Sequence, residues 1–325
     1  MVYTRIGHIP HLTWDVAQKF LKFSQEPILQ FTLPLSFDDL PSVEQFGQGI
    51  SRFSGTPTKF PIHLSLVDPL GSLESGYNNN KSMAIWGLGG RRSITPENLR
   101  DILSTCMPHS FSTLIDYDTP KDCHNKRITK SVFRTTSWND STFNANESLK
   151  ESAILGLCGG FSTFHRIQLA KTFSEKSYAS GFSLDLLSFS NNKKIKFAQE
   201  FDEIEVSKLI SPVISELPES KLRMVEGSFT PMAEEKKAFR IADDFPKSLD
   251  FTIIDLNDSR YADDFTPIFE ECKCYACSNY TKGYLQHLTN TKEMLLYILL
   301  VIHNLTEFDR MFQLIRNYLL ECKNN

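Results

Sequence analysis

Long hydrophobic runs are missing from this chain. No stretch approaches the roughly 18 consecutive apolar residues of a bilayer-spanning helix, so no transmembrane segment is expected. Missing too is the pattern of a secretory leader, the first residues reading Met1-Val-Tyr-Thr-Arg5. The Asn-x-Ser/Thr sequons at Asn146, Asn279 and Asn304 are therefore expected to stay unmodified. The 7 cysteines are expected in a reducing compartment, where disulfides are rare. Positive charge is in short supply: 35 Lys and Arg against 39 Asp and Glu leave a net charge of −4. That balance excludes a global basic field, so any contact with nucleic acid has to be local or shared with a partner. Internal repeats and low-complexity tracts are absent. What is abundant is apolar matter, 41% of residues with 25 phenylalanines, enough for a sizeable core. The 325 residues fit one large barrel-type domain or two smaller ones.

Short apolar runs rich in β-formers recur through the first two thirds of the chain: Pro27–Leu35, Pro61–Val67, Ser82–Gly87, Ser112–Asp116, Ala153–Leu157, Gly181–Leu187 and Arg223–Val225. Several end in Gly, Asp or Pro, where a chain leaves a sheet. Between them lie helix-length segments, Thr95–Cys106, Ser162–Ser177 and Asp202–Glu216, the first opening on a Thr95-Pro96 start signal. Strands alternating with helices predict an α/β protein with a parallel sheet, and this many units predicts a (β/α)8 TIM-barrel-like fold, with a doubly wound open sheet as the alternative. Near-continuously apolar strands suit burial on both faces. Asp140–Lys150 reads as a polar loop and Ser190–Phe197 as a basic turn. Towards the C-terminus a helix starts at Gly283–Leu288, and Asn290-x-x-Glu293 reads as a capping box for the next. An amphipathic helix follows through Leu305, Phe308, Met311, Phe312, Ile315, Tyr318 and Leu319.

The densest chemistry is Cys272-Lys-Cys274-Tyr-Ala-Cys277, with His303 at the far end of an apolar helical pattern. Zinc takes four tetrahedral ligands from thiolate and imidazole, and a closed Cys3His set leaves no open position for catalysis. Three thiols so close, in a chain without a leader, predict one structural zinc ion held by Cys272, Cys274, Cys277 and a histidine. Spacing favours His303 as the fourth ligand and leaves His287 as its rival. The bland reading is three unrelated cysteines and a core histidine.

Basic residues concentrate at a few places. Lys126, Arg127, Lys130 and Arg134 share one helix face at i, i+3/i+4 and i+7/i+8 spacing and could contact phosphates, as could Arg91-Arg92 after a glycine pair, and Lys282. The alternative for each is a solvated surface.

One resemblance extends over nearly the whole chain. Tyr261-Ala-Asp263-Asp264-Phe265-x-Pro267, the three cysteines, Asn279-Tyr280-Thr281-Lys282-x-Tyr284-Leu285-x-His287-Leu288, Glu293-Met-Leu295 and His303-Asn304-Leu305 closely resemble the zinc subdomain of the tRNA-guanine transglycosylases. The resemblance implies zinc on Cys272, Cys274, Cys277 and His303. It also implies a barrel domain over 1–250 followed by a helical zinc-binding subdomain over 251–325. Enzymes of that family swap a guanine in tRNA for a modified base through an aspartate nucleophile, a form of covalent catalysis. Here the expected catalytic positions are changed. Gly87-Leu88-Gly89-Gly90 resembles the family's Asp-Ser-Gly-Gly without its carboxylate. Leu157-Cys158-Gly159-Gly160 resembles Val-Gln-Gly-Gly with a thiol in place of the amide. Asp185-Leu186-Leu187 resembles the Gly-Gly-Leu loop with more bulk. After Lys221-Leu-Arg223-Met-Val-Glu-Gly227-x-x-x-Pro231 the strand that should carry the nucleophile is deleted, Met232–Asp250 leading straight to the zinc subdomain, and the chain starts inside the expected first strand. The barrel is then shortened or incomplete, unless Lys247–Asp255 substitutes for the lost strand or the sequence is that of an abridged isoform.

No catalytic residue is expected. The losses resemble the family's non-catalytic, accessory branch, as do Tyr3-Thr4-Arg5-x-Gly7-x-x-Pro10-His11-Leu12-Thr13, Lys81-Ser82-x-x-x-Trp86-x-x-x-Gly90-Arg91 and Arg127-x-x-Lys130-Ser131-Val132-x-Arg134. That branch implies a heterodimer with a catalytic subunit, tRNA as a further partner, a homodimer as another assembly, and a cytoplasmic location with the mitochondrial outer membrane as a peripheral site. Two alternatives stand beside it: an active enzyme with a nucleophile relocated to Asp243 or Asp244, and a free-standing zinc module that binds RNA.

Overall fold

A computed structural model describes residues 1–325 apart from 72–76, 118, 121, 177–179, 185–229 and 325, and the side chains of 323 and 324. The chain divides into two compact units, one of Met1–Gly7 with Ile28–Gly227, the other of His8–Pro27 with Ser228–Asn325. The expected boundary at 250 falls inside the second unit.

Among the described residues the first unit is built on six parallel strands: β1 (Val2–Tyr3), β2 (Leu29–Thr32), β3 (Ile62–Ser65), β6 (Ser110–Ser112), β7 (Ala153–Leu157) and β8 (Gly181–Leu184), paired in that order. The register aligns Phe31, Leu64, Phe111 and Ala153 on one face and Gln30, His63 and Ser110 on the other. Both faces are buried, yet only one is apolar. On the second face His63 sits between Ser110 and Ser112 at 2.9 and 3.0 Å, and Gln30 donates to Ser65 Oγ at 3.0 Å. The strands are buried on two sides as their sequences suggest, but hydrogen-bonded polar groups fill the side that the runs had implied was apolar. Among the described residues β1 and β8 are not paired with one another.

Helices of this unit follow or separate these strands: α2 (Leu33–Ser36), α3 (Leu40–Phe46) and α4 (Gly49–Phe53) after β2, then α5 (Pro96–Cys106) and α6 (Asn125–Ala145), with α7 (Thr163–Lys176) after β7. Thr95 caps α5 as its sequence predicts, Oγ1 accepting from Asn98 N. Three expectations change. Ser82–Gly87 does form a strand, β4 (Met83–Gly87), but it pairs antiparallel with β5 (Gly90–Ile94) in a hairpin outside the parallel sheet. The strand expected at Ser112–Asp116 ends at Ser112, which leaves Asp116 beyond it. The polar stretch from Asp140 is no loop: α6 continues to Ala145, because Trp138 and Phe143 bury one face and Lys176 of α7 pairs with Asp140 at 2.6 Å. The expected turn at Ser190–Phe197, helix at Asp202–Glu216, strand at Arg223–Val225 and loop Asp185-Leu186-Leu187 lie outside the described residues.

The second unit contains α1 (Trp14–Phe20), α8 (Thr230–Glu234), an antiparallel ribbon of β9 (Lys237–Ile241) and β10 (Phe251–Asp255), then α9 (Tyr275–Asn279), α10 (Lys282–Thr291) and α11 (Met294–Asn324). Phe251–Asp255 is thus a strand, but its partner is β9 and not the parallel sheet. The capping box at Asn290 is replaced: α10 runs through it to Thr291, and Asn290 Nδ2 donates to Gln286 Oε1. The apolar pattern up to His303 and the amphipathic pattern from Leu305 belong to one helix, α11, of 31 residues. His303 therefore projects from a helix interior.

Candidate functional site

The C-x-x-C turn owes its shape to Cys274, which is the N-cap of α9: its Sγ accepts from Cys277 N at 3.4 Å. That contact folds Cys277 back beside Cys274, and Cys272 lies just upstream on the incoming chain. α11 supplies His303, whose Nδ1 lies 3.6, 3.6 and 3.3 Å from the sulfurs of Cys272, Cys274 and Cys277. All four side chains are buried and their ligand atoms lie within 4.8 Å of one another. A tetrahedral ion with metal–sulfur and metal–nitrogen bonds of the usual length sets such N···S separations at about 3.6 Å. The other ring nitrogen is fixed: His303 Nε2 lies 3.0 Å from Phe239 O, so it carries the proton, donates to that carbonyl and leaves the Nδ1 lone pair facing the thiols. Phe269 stacks on the ring at 5.3 Å. His287, the rival ligand, is exposed and stacks near Tyr284.

The four groups are electrostatically coupled. Hydrogen bonds from Cys274 and Cys277 pull the Cys272 thiol far down, while hydrogen bonds with Cys272 and Cys274 push Cys277 far up. Burial acts to lower the His303 imidazole, while hydrogen bonds and charge from Cys272 and Cys274 act to raise it. Thiolates and a neutral imidazole are the forms that bind a divalent ion, and binding would displace the protons these groups share. The donor set fits a metal ion.

The expected phosphate-contacting residues fare differently. Lys126 and Lys130 stand exposed on α6. Arg127 turns inward and forks onto Asp116 at 2.9 Å for both bonds, and Arg134 joins it at 3.1 Å. Lys282 pairs with Asp264 at 3.0 Å and donates to Thr266 Oγ1 at 2.8 Å. Arg92 pairs with Asp38 at 3.2 Å, and Arg91 lies 4.7 Å over the Tyr77 ring.

At the carboxyl ends of the strands, Gly87-Leu88-Gly89-Gly90 is the turn of the β4–β5 hairpin and does not end a parallel strand. Among the described residues, Asp68 beyond β3 and Asp116 beyond β6 are carboxylates that follow parallel strands, and the sequence reading missed both. Each ends or follows a predicted run, which was the available signal. Burial pushes Asp68 up, against an amide bond from Leu70, a hydrogen bond with Tyr3 and the charge of Arg5. Asp116 has no exposed side-chain surface and accepts from Arg127, Arg134 and Asn78. Beyond β7, Cys158 is buried, its thiol pushed up to about 11, and it donates to Thr135 Oγ1. Gly159 and Gly160 turn at φ +129 and +53 around Arg166 of α7, which is fully buried and donates to Leu157 O and Gly160 O at 2.8 Å. No sequence signal pointed to Arg166. Asp243 accepts from Arg240 at 2.8 Å and Arg310 at 3.0 Å.

A six-stranded parallel sheet in a chain with a buried Cys3His cluster defines an α/β protein with a candidate metal centre. The chain belongs to the queuine tRNA-ribosyltransferase family, whose model matches residues 1–323. It is similar to the queuine tRNA-ribosyltransferase accessory subunit 2 of Caenorhabditis briggsae, 43% identical over 98% of this chain and 90% of the relative. The protein of that name from Caenorhabditis elegans is 41% identical over 98% and 89%, and that from Ixodes scapularis 30% over 99% and 89%. The match to the C. briggsae protein runs over 343 residues, more than the 325 of this chain, so that relative carries residues with no counterpart here.

Proposed function

We propose that this chain is the non-catalytic subunit of a heteromeric queuine tRNA-ribosyltransferase, supporting exchange of guanine for queuine at the wobble position of tRNA by a catalytic partner in the cytoplasm. The observation that carries the reading is an intact Cys3His cluster in a chain where, among the described residues, the carboxylates Asp116, Asp68 and Asp243 are each engaged. A nucleophilic carboxylate has to present a free oxygen to the anomeric carbon. Asp116 is neutralised by two arginines, Asp68 is buried with bonds of its own, and Asp243 is tied by Arg240 and Arg310. The names of the curated relatives point the same way. The consecutive order of six parallel strands supports a (β/α)8-type plan. Three thiolates and an imidazole at tetrahedral spacing support zinc as the ion, holding the second unit together and leaving no open position for a substrate.

The pairing surface belongs to the second unit. Rings of Tyr275, Tyr280, Tyr284 and His287 form a ladder with centroids 5.8, 5.6 and 6.4 Å apart, ending at exposed Tyr284 and His287. Exposed aromatics of this kind are common anchors of protein interfaces. The test mixes the purified chain with tRNA and labelled guanine. Turnover is expected only when a catalytic subunit is added, together with co-elution of the two in size exclusion. Turnover by the chain alone would sink the reading, and elution as a homodimer indifferent to the catalytic subunit would sink the pairing.

A further inference from the structure

Among the described residues the ribbon of β9 and β10 has two strands, yet the outer edge of β9 is not open. Lys237, Phe239 and Ile241 turn their backbone groups away from β10 and towards α11, where side chains answer them. Asn304 Nδ2 donates to Lys237 O at 3.1 Å, and Asn304 Oδ1 accepts from Phe239 N at 3.3 Å. His303 Nε2 donates to Phe239 O at 3.0 Å, and Glu307 Oε1 accepts from Ile241 N at 2.9 Å. Arg310 donates to Ile241 O and also grips Glu307. Glu307 is 1% exposed, so its charge depends on Arg310 and on Arg240, 3.8 Å away. Residues 303, 304, 307 and 310 share one helix face. The helix thus offers, through side chains, the bonds that a third strand would supply.

Of these residues it is His303 whose ring also reaches the thiols. That ring has little freedom: Nε2 must stay on Phe239 O for Nδ1 to reach the sulfurs. A shift of α11 along β9 would break both contacts at once. We propose that Asn304, Glu307 and Arg310 are positioning residues of the metal centre, fixing α11 on the edge of β9 so that His303 is held on the ion. This rests on the reading of the Cys3His cluster as a metal site. Supports outside the ligand set typically change metal affinity about 10- to 100-fold.

The experiment uses the full chain loaded with Zn2+ and, separately, with Co2+, whose visible bands report a tetrahedral set of three sulfurs and one nitrogen. Release to a chromogenic chelator is timed for wild type, Asn304→Ala, Glu307→Ala and Glu307→Gln, beside Leu285→Ala, a truncation of a buried core residue on α10, a helix that carries no ligand. Asn304→Ala and Glu307→Ala should release metal about 10- to 100-fold faster. Glu307→Gln, which keeps the acceptor for Ile241 N, should recover part of the loss, and Leu285→Ala should release at the wild-type rate. Release unchanged in the first two, or equally fast in Leu285→Ala, overturns the positioning role. A wild type that binds no metal overturns the metal centre and this inference with it. Should the variants fail to fold, amide exchange in wild type decides. Chelation should strip protection from Phe239 and Ile241 together, and protection unchanged at both overturns the proposal.

Discussion

Asp116 balances two guanidinium groups from a position with no contact to solvent. Removing its charge leaves Arg127 and Arg134 facing an uncompensated site, and breaking a buried pair from one side costs about 3–5 kcal/mol. Asp116→Asn should lower stability by that amount in urea unfolding followed by circular dichroism. Buried thiols set a second expectation. Cys106 is held up at about 12 and Cys158 at about 11, both by burial, whereas an ordinary cysteine ionises near pH 9.0. The folded chain keeps these protons in the range where the unfolded chain loses them. Their contribution is therefore complete below the ordinary thiol range and declines as pH climbs from 9.0 towards 12. Unfolding midpoints should fall across that window, less steeply in Cys106→Ala. At the candidate metal site, Cys274→Ser should lose the ion and loosen the second unit, because binding energy at such a site is folding energy. Stoichiometric metal in that variant, read by elemental analysis, would refute the ligand set. The thiols were legible because their chemistry is local, three within six residues. The pairing of Arg127 with Asp116 and of Lys282 with Asp264 was not, because each cation meets a partner 11 or 18 residues away that only the fold brings near. A basic stripe read from spacing alone counts charges without their counter-ions.

The elements follow the same rule. Thr95 and Pro96 announce α5 because capping is written in adjacent residues. The parallel strands β2, β3, β7 and β8 were visible as apolar runs, but nothing in Ser82–Gly87 separates a hairpin strand from a sheet strand, and the turn at Gly87–Gly90 looked like the end of a parallel strand. Its first glycine has a steric purpose. A Cβ on Gly87 would lie 2.5 Å from Pro34 O, so the hairpin rests against the first turn of α2. Gly87→Ala should displace the hairpin and cost about 1–3 kcal/mol, seen as a lower urea midpoint and altered near-ultraviolet signal from Trp86. α6 outran its expected end because Trp138 and Phe143 bury a face that composition counts as polar. In α11 no breaker occurs near Leu305, and Asn304, a residue that often ends helices, turns instead to the backbone of β9.

For the molecule as a whole, family membership was legible from the C-terminal third, where ligand and aromatic spacing survive together. The division into units was not, since His8–Pro27 joins residues 228–325 and a linear reading cannot see it. Tyr284, at the exposed end of the aromatic ladder, should matter more to assembly than to folding. Tyr284→Ala should weaken association with a catalytic subunit by about 2 kcal/mol or more while leaving thermal unfolding close to wild type. The β9 rim carries a last consequence. Without α11 against it, the backbone groups of Lys237, Phe239 and Ile241 become a bare strand template, the kind on which neighbouring molecules add sheet. Prolonged starvation for the ion should therefore end in sedimentable aggregates seeded at residues 237–241, and Ile241→Lys should keep the starved protein in the supernatant.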